Sequence, residues 1–157
     1  MYEKSDIGKS KAAVLAQRLG ARARGAVRAQ ESLDYDLIFE CSDNVDLKFA
    51  INDGAVGSGT PTVIAGVAGL HAFVLAVRPR QGPCLRCVFQ TPNDEMRRSC
   101  RDVGVLAPLP TLVAAVMVEW ARRLWNNQTT SLWSLNFSAG SARSVTWQRD
   151  SLCAVCS

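Results

Sequence analysis

Apolar residues recur at helical spacing over 10–19, where Ala12, Ala13, Leu15, Ala16 and Leu19 share a face and Gly20 ends the run. A weak alternation over 23–30 predicts a strand, and 36–41 (DLIFEC) is a short continuous apolar run of the kind found in buried parallel strands. That run ends in a loop carrying Ser42, Asp43 and Asn44. The pattern over 45–56 suits a helix, and Thr60-Pro61 opens a second buried strand at 62–66. Strand, helix and strand make a crossover, and with a further strand at 70–78 they predict an open, mainly parallel sheet. Ligands of such sheets gather at the carboxyl ends of the strands, where Asp43 falls.

The second half opens with a polar, irregular stretch over 79–107, and so long a loop inside a domain is usually functional or metal-held. Pro110 then suits the first turn of a helix that runs to about residue 125, with Leu109, Leu112, Val113, Val116, Trp120 and Leu124 on one stripe read as core. Two short strands, 132–137 and 143–149, complete the chain.

At 157 residues these elements fill a single domain, 1–157, and 48% hydrophobic with 20% charged residues is an ordinary globular composition. The net charge of +4 gathers over 18–28 and 97–101 without the interleaved aromatics of a nucleic-acid platform, so no nucleic-acid partner is expected. No apolar run is long enough to span a membrane, and the first residues lack the apolar stretch of a signal peptide. A cytoplasmic protein without a membrane partner is expected.

Six cysteines in a reducing compartment are not there for disulfides, and their spacing points to a metal. Two residues between cysteines let both thiolates face one cation, and the pairs Cys84/Cys87 and Cys153/Cys156 complete the tetrahedral shell of a structural zinc ion. Such an ion would staple the middle of the chain to its end and, with four protein ligands, leave no position for water. A redox pair, two local disulfides and an iron–sulfur cluster are the competing readings; the iron–sulfur cluster has the same ligand count. Cys41, at the end of an apolar strand, reads as a core cysteine, and His71, within a strand, as structural.

The order DIGKSK, ECSDN, GPCLRC, SCRDVGVLAP, CAVC runs the length of the chain. In that order the motifs resemble the later two-thirds of a ubiquitin-activating-type adenylyltransferase domain of the ThiF/MoeB/HesA kind, nearest the thiamine-biosynthesis branch. The resemblance implies an enzyme that uses ATP and magnesium to adenylate the C-terminus of a ubiquitin-like sulfur carrier. It assigns Lys11 to the nucleotide phosphates, and Asp43 with Asn44 to the nucleotide and magnesium loop. Cys100 matches the cysteine that in some members links covalently to the carrier or accepts a persulfide. Their chemistry agrees: a hard cation takes carboxylate oxygen, a lysine stabilises charge on phosphates, and the flanking Arg98 and Arg101 should favour a Cys100 thiolate. Without the resemblance, Asp43 reads as a loop cap more readily than as a ligand, Lys11 as a solvated helix residue, and Cys100 as readily as an inert thiol as a reactive one.

The fold this implies is α/β, the C-terminal part of a Rossmann-like sheet with a four-cysteine zinc site. The glycine-rich nucleotide-binding first unit is missing, since no GxGxxG occurs and GAVGSGTP at 54–61 is a helix-to-strand loop. Lys48 stands where an arginine is common and Ala72 where glutamine is usual. The expectation is an incomplete domain that binds ATP poorly alone and forms a homodimer or joins a missing N-terminal half. The alternative function is a non-catalytic, zinc-stapled module that binds a ubiquitin-like partner.

Overall fold

A computed structural model of the protein describes residues 2–28, 31–93, 96, 100–128 and 130–157, except for the side chains of residues 100 and 101. Helix α1 spans Lys11–Leu19, opened by Ser10, whose Oγ accepts from the Ala13 N–H, and closed by Gly20 at a left-handed φ of 63°. Residues 23–28, the described part of the strand expected over 23–30, hold no strand. Their apolar side, Ala23, Gly25 and Val27, is small, and Arg24 instead reaches Glu31 at 2.6 Å and the Tyr35 hydroxyl.

Strand β1 is short, Ile38–Glu40, and α2 (Val45–Ser58) follows, capped by Asn44, whose Oδ1 accepts from the Leu47 N–H at 3.0 Å. Strands β2 (Thr62–Ala68) and β3 (His71–Val77) come next, then the short helices α3 (Leu85–Phe89) and α4 (Cys100–Val103). Helix α5 spans Leu109–Trp125, and β4 (Leu132–Asn136) and β5 (Ser141–Val145) form the last hairpin. The strands make one sheet in the order β1-β2-β3-β4-β5.

The α/β class holds, but the mainly parallel sheet does not: β1 and β2 are parallel, and β2–β3, β3–β4 and β4–β5 are antiparallel. The reason lies in the connections. Only Gly69 and Leu70 separate β2 from β3, and two residues can reverse a chain but cannot carry it back over the sheet to a parallel start. Gly69, at a φ of 56°, makes that reversal. The last strand also lies earlier than expected, because its register (Leu132↔Val145, Asn136↔Ser141) follows from the turn at 137–140, and the chain leaves the sheet after Val145.

Alternation along β2 and β3 divides the core between two faces. On one, Ile64, Leu75 and Val77 pack with Phe49 and Val56 of α2, Leu85 of α3 and the four clustered cysteines. On the other, Val63, Ala65, Ala72, Val74 and Ala76 meet Val113, Met117, Trp120 and Leu124 of α5. The small alanines let α5 lie close to the sheet. The expected stripe on α5 is largely buried, with Leu109, Val113, Trp120 and Leu124 in the core and Val116 half-buried against it, but Met117 and Ala121 join it while Leu112 is 44% exposed.

The stretch 79–107 is not one loop. Bidentate Arg86–Asp53 contacts at 2.7 to 3.1 Å and a bond from the Leu85 N–H to Asn52 Oδ1 at 2.8 Å hold α3 on α2. Further on, Gly104, Val105 and Leu106 return to the Gly69 turn through Gly69 N–H to Gly104 O at 2.9 Å and Leu106 N–H to Gly69 O at 3.2 Å.

Candidate functional site

The start of α3 and the end of the chain meet at four buried cysteines, Cys84, Cys87, Cys153 and Cys156, whose sulfurs all lie within 4.8 Å of one another. Cys84 Sγ is 3.9 Å from Cys87 and 3.6 Å from Cys153, and Cys87 is 3.3 Å from Cys156. Sulfurs so spaced are not disulfide-bonded, which sets aside the two local disulfides. Four thiolates at about 2.3 Å from a central zinc would be separated by about 3.8 Å, so the donor set fits one ion in size and chemistry. A cluster of several irons and sulfides needs a wider cradle. The tail is held by Trp147, whose Nε1–H donates to Cys87 O at 3.0 Å, and by the Asp150 N–H, 3.5 Å from Cys87 Sγ.

The cluster is built to lose protons unevenly. Burial pushes the Cys84 thiol up, and burial with the neighbouring thiols pushes Cys156 up. At Cys153 burial acts in the same direction, but the N–H groups of Val155 and Cys156 and the adjacent thiols outweigh it, bringing this thiol down to about 7. An arriving cation would find one thiol ready to ionise and displace the remaining protons.

A second feature lies at the carboxyl end of the parallel pair. Here a cavity of about 1180 Å³ is lined by, among others, Asp43, His71, Phe73, Met117 and Arg143. Its floor includes Gly66, where an added Cβ would come within 2.4 Å of the Phe73 ring, so the glycine leaves room for that wall. Loop 41–44 forms the rim. Inside it, Glu40 and Lys48 make a buried ion pair at 2.5 Å. The other Glu40 oxygen accepts from the Ser42 N–H at 2.8 Å and the Ser42 hydroxyl at 2.5 Å.

Of the residues singled out by sequence, the four cysteines are brought together and Asp43 faces the cavity. Asn44 spends its side-chain oxygen on the α2 cap. Lys11 is exposed on the first turn of α1 and does not line the cavity, so the chain does not itself assemble Lys11 with Asp43. Cys100 begins α4, but its side chain, like Arg98, lies outside the described residues. Cys41 is not a core cysteine: β1 ends at Glu40, which points inward, so the next residue turns out to the cavity rim with its sulfur 4.0 Å from that of Met117. Burial of that sulfur and the Glu40 charge push its thiol up. His71 opens β3 and is exposed on the cavity. The pairing of Glu40 with Lys48 was not anticipated, although a lone glutamate in DLIFEC signals a buried acid that needs a counter-charge.

A single carboxylate at a cavity mouth fits a magnesium ion only when substrate oxygens supply other ligands. The residues present do not make a nucleotide site: there is no glycine-rich turn whose N–H groups could cradle phosphates.

The family model for the ThiF family matches residues 1–155. The sulfur carrier protein adenylyltransferase of Thermus thermophilus is 29% identical over 142 residues, which cover 79% of this chain and 52% of that protein. The sulfur carrier protein ThiS adenylyltransferase of Escherichia coli is 29% identical over 126 residues, 77% of this chain and 49% of the relative. The adenylyltransferase and sulfurtransferase MOCS3 of Xenopus laevis is 36% identical over 83 residues, 52% of this chain and 18% of that protein. Among solved structures, Escherichia coli MccB with ATP has a TM-score of 0.76 at 17% identity, covering 99% of this chain and 53% of the other, a likeness of fold. The chain thus spans about half the length, or less, of these relatives.

Proposed function

The chain belongs to the ThiF family, and from that premise we propose that it takes part in ATP-dependent adenylation of the C-terminal carboxylate of a ubiquitin-like sulfur carrier, of the thiamine or molybdopterin type, in the cytoplasm. The observation that carries this is the place of Asp43, on a large cavity at the carboxyl ends of the one parallel pair among the described strands, where α/β sheets bind ligands. The relatives named as adenylyltransferases of sulfur carriers support the substrate class.

In this reading the four thiolates hold a structural zinc ion, which takes no part in chemistry because all its positions are filled. Once the nucleotide site is completed, Asp43 would hold magnesium together with phosphate oxygens, Asn44 fixes the loop as the α2 cap, and Lys11 would bring a positive charge toward the phosphates. Cys100 is the candidate thiol for a sulfur link to the carrier, formed by attack on the acyl-adenylate as AMP leaves. A glycine-rich phosphate cradle is not among these 157 residues, so the domain is incomplete for nucleotide binding and associates with a partner or a second copy that completes it. No helix among the described residues is long and apolar enough to cross a membrane, and no membrane or nucleic-acid partner is proposed.

ATP–pyrophosphate exchange with a sulfur carrier tests the reading. Residues 1–157 alone should show no exchange, and adding a family nucleotide-binding segment in trans should restore exchange that Asp43→Asn or Lys11→Ala abolishes. Carrier binding without restored exchange would favour the non-catalytic, zinc-stapled module instead.

A further inference from the structure

Glu40 and Lys48 form a buried ion pair for which the proposed reaction has no use. Glu40 is 1% and Lys48 6% exposed, and every charged atom is engaged. Lys48 Nζ donates to Glu40 Oε2 and to Ala65 O, each at 2.5 Å, so the pair links the end of β1, the start of α2 and the middle of β2. The remaining carboxylate oxygen takes both donors of Ser42, its N–H at 2.8 Å and its hydroxyl at 2.5 Å. Two steps along, Asn44 is fixed by its bond from the Leu47 N–H. Asp43 therefore sits between two clamps, and its neighbours on both sides have their positions set by directional bonds.

A buried ion pair is a poor source of stability, because desolvating two charges offsets their attraction and apolar residues of the same volume often do as well. What it supplies is geometry: hydrogen bonds to a charged acceptor are short and directional, and a carboxylate can accept from two sides at once. Here one side is anchored to the sheet through Lys48, and the other holds the loop.

We infer that Glu40, held by Lys48, is a positioning residue that fixes Ser42 and thereby presents the Asp43 carboxylate to the cavity. This rests on the reading of Asp43 as a ligand-facing carboxylate. Glu40 acts through the loop, and its test separates holding the loop from holding the fold.

Two double variants remove the charge pair. Glu40→Met with Lys48→Met leaves the Ser42 N–H without its acceptor, and the hydroxyl with Asn44 O alone, whereas Glu40→Gln with Lys48→Met keeps an oxygen there. Both should melt together, since neither strands a buried charge. In the full, zinc-loaded chain, amide hydrogen exchange followed by NMR should then show the Ser42 N–H exchanging about tenfold faster in the methionine pair than in the glutamine pair, with β2 and β3 amides alike in both. Titration with manganese alone, read as paramagnetic broadening of the 42–44 amides, should need several-fold more ion in the methionine pair. Equal Ser42 exchange in the two variants, or faster exchange at every amide with a lower melting temperature in the methionine pair, overturns the inference. If Asp43→Asn leaves the manganese broadening of the wild-type chain unchanged, the reading of Asp43 fails, while the Ser42 exchange rates still decide whether Glu40 holds the loop.

Discussion

Lys48→Met made alone strands the Glu40 carboxylate in a site that is 1% exposed, and removing one partner of such a pair costs about 3–5 kcal/mol. Urea denaturation should show that loss for the single variant and its recovery when Glu40→Gln is added, because the second change removes the uncompensated charge. One residue along, Cys41 is the exposed thiol among the five cysteines whose side chains are described. Burial of its sulfur and the adjacent Glu40 carboxylate hold its pKa above the ordinary thiol value, so little thiolate exists at neutral pH. With zinc bound, iodoacetamide should modify Cys41 ahead of Cys84, Cys87, Cys153 and Cys156, at a rate that keeps climbing as the pH passes from 7 to 9; peptide mapping that finds one of those four modified first would contradict it. That Asp43 stands on the cavity rim was legible from its place after a buried run. That Cys41 faces out was not, because a continuous apolar run carries no alternation to say which of Glu40 and Cys41 turns inward.

At the scale of elements, α5 is the helix that closes one face of the sheet, and its two candidate stripes make opposite demands. Met117 is buried against the alanines of β2 and β3, and Met117→Ala should cost about 2–5 kcal/mol through lost burial and the cavity left behind. Leu112→Ala, at a position 44% exposed, should stay within about 0.5 kcal/mol. Thermal denaturation of the two variants checks the difference, and equal losses would mean that the helix buries the other stripe. The existence of α5, and of α1 and α2 with their Ser10 and Asn44 caps, could be read from spacing and cap residues because those signals are local. That Met117 is buried and Leu112 is not could not, since a helix with apolar residues over much of its surface leaves the edge of the buried face to be chosen by the alanines opposite. Strand direction escaped in the same way: apolar runs mark strands, and only the two residues between β2 and β3 carry the sign of the pairing.

For the whole molecule, the four thiols join points 69 residues apart, so an ion held by them would decide whether the C-terminal tail belongs to the fold. Cys84→Ser or a strong chelator should release the tail; trypsin should then cut after Arg149, which the zinc-loaded protein protects through Trp147 and Asp150 on Cys87. Because Cys84 and Cys156 are pushed above the ordinary thiol range while Cys153 is brought down to about 7, binding must expel protons, and affinity therefore rises with pH. Competition with a chromophoric chelator should show zinc held far more weakly at pH 6 than at pH 8, and equal affinities would exclude thiolate ligation. The sequence by itself determined the ligand pairs, the capped helices and the buried run that leads to Asp43, since each is a spacing of a few residues and its physics is local. Only the tertiary structure decided that the two cysteine pairs meet, that three of the four strand pairings are antiparallel, that Lys11 stands away from the cavity and that Glu40 and Lys48 hold the loop between them. Those depend on which distant faces are complementary, and periodicity records that a residue has a buried side without recording what it is buried against.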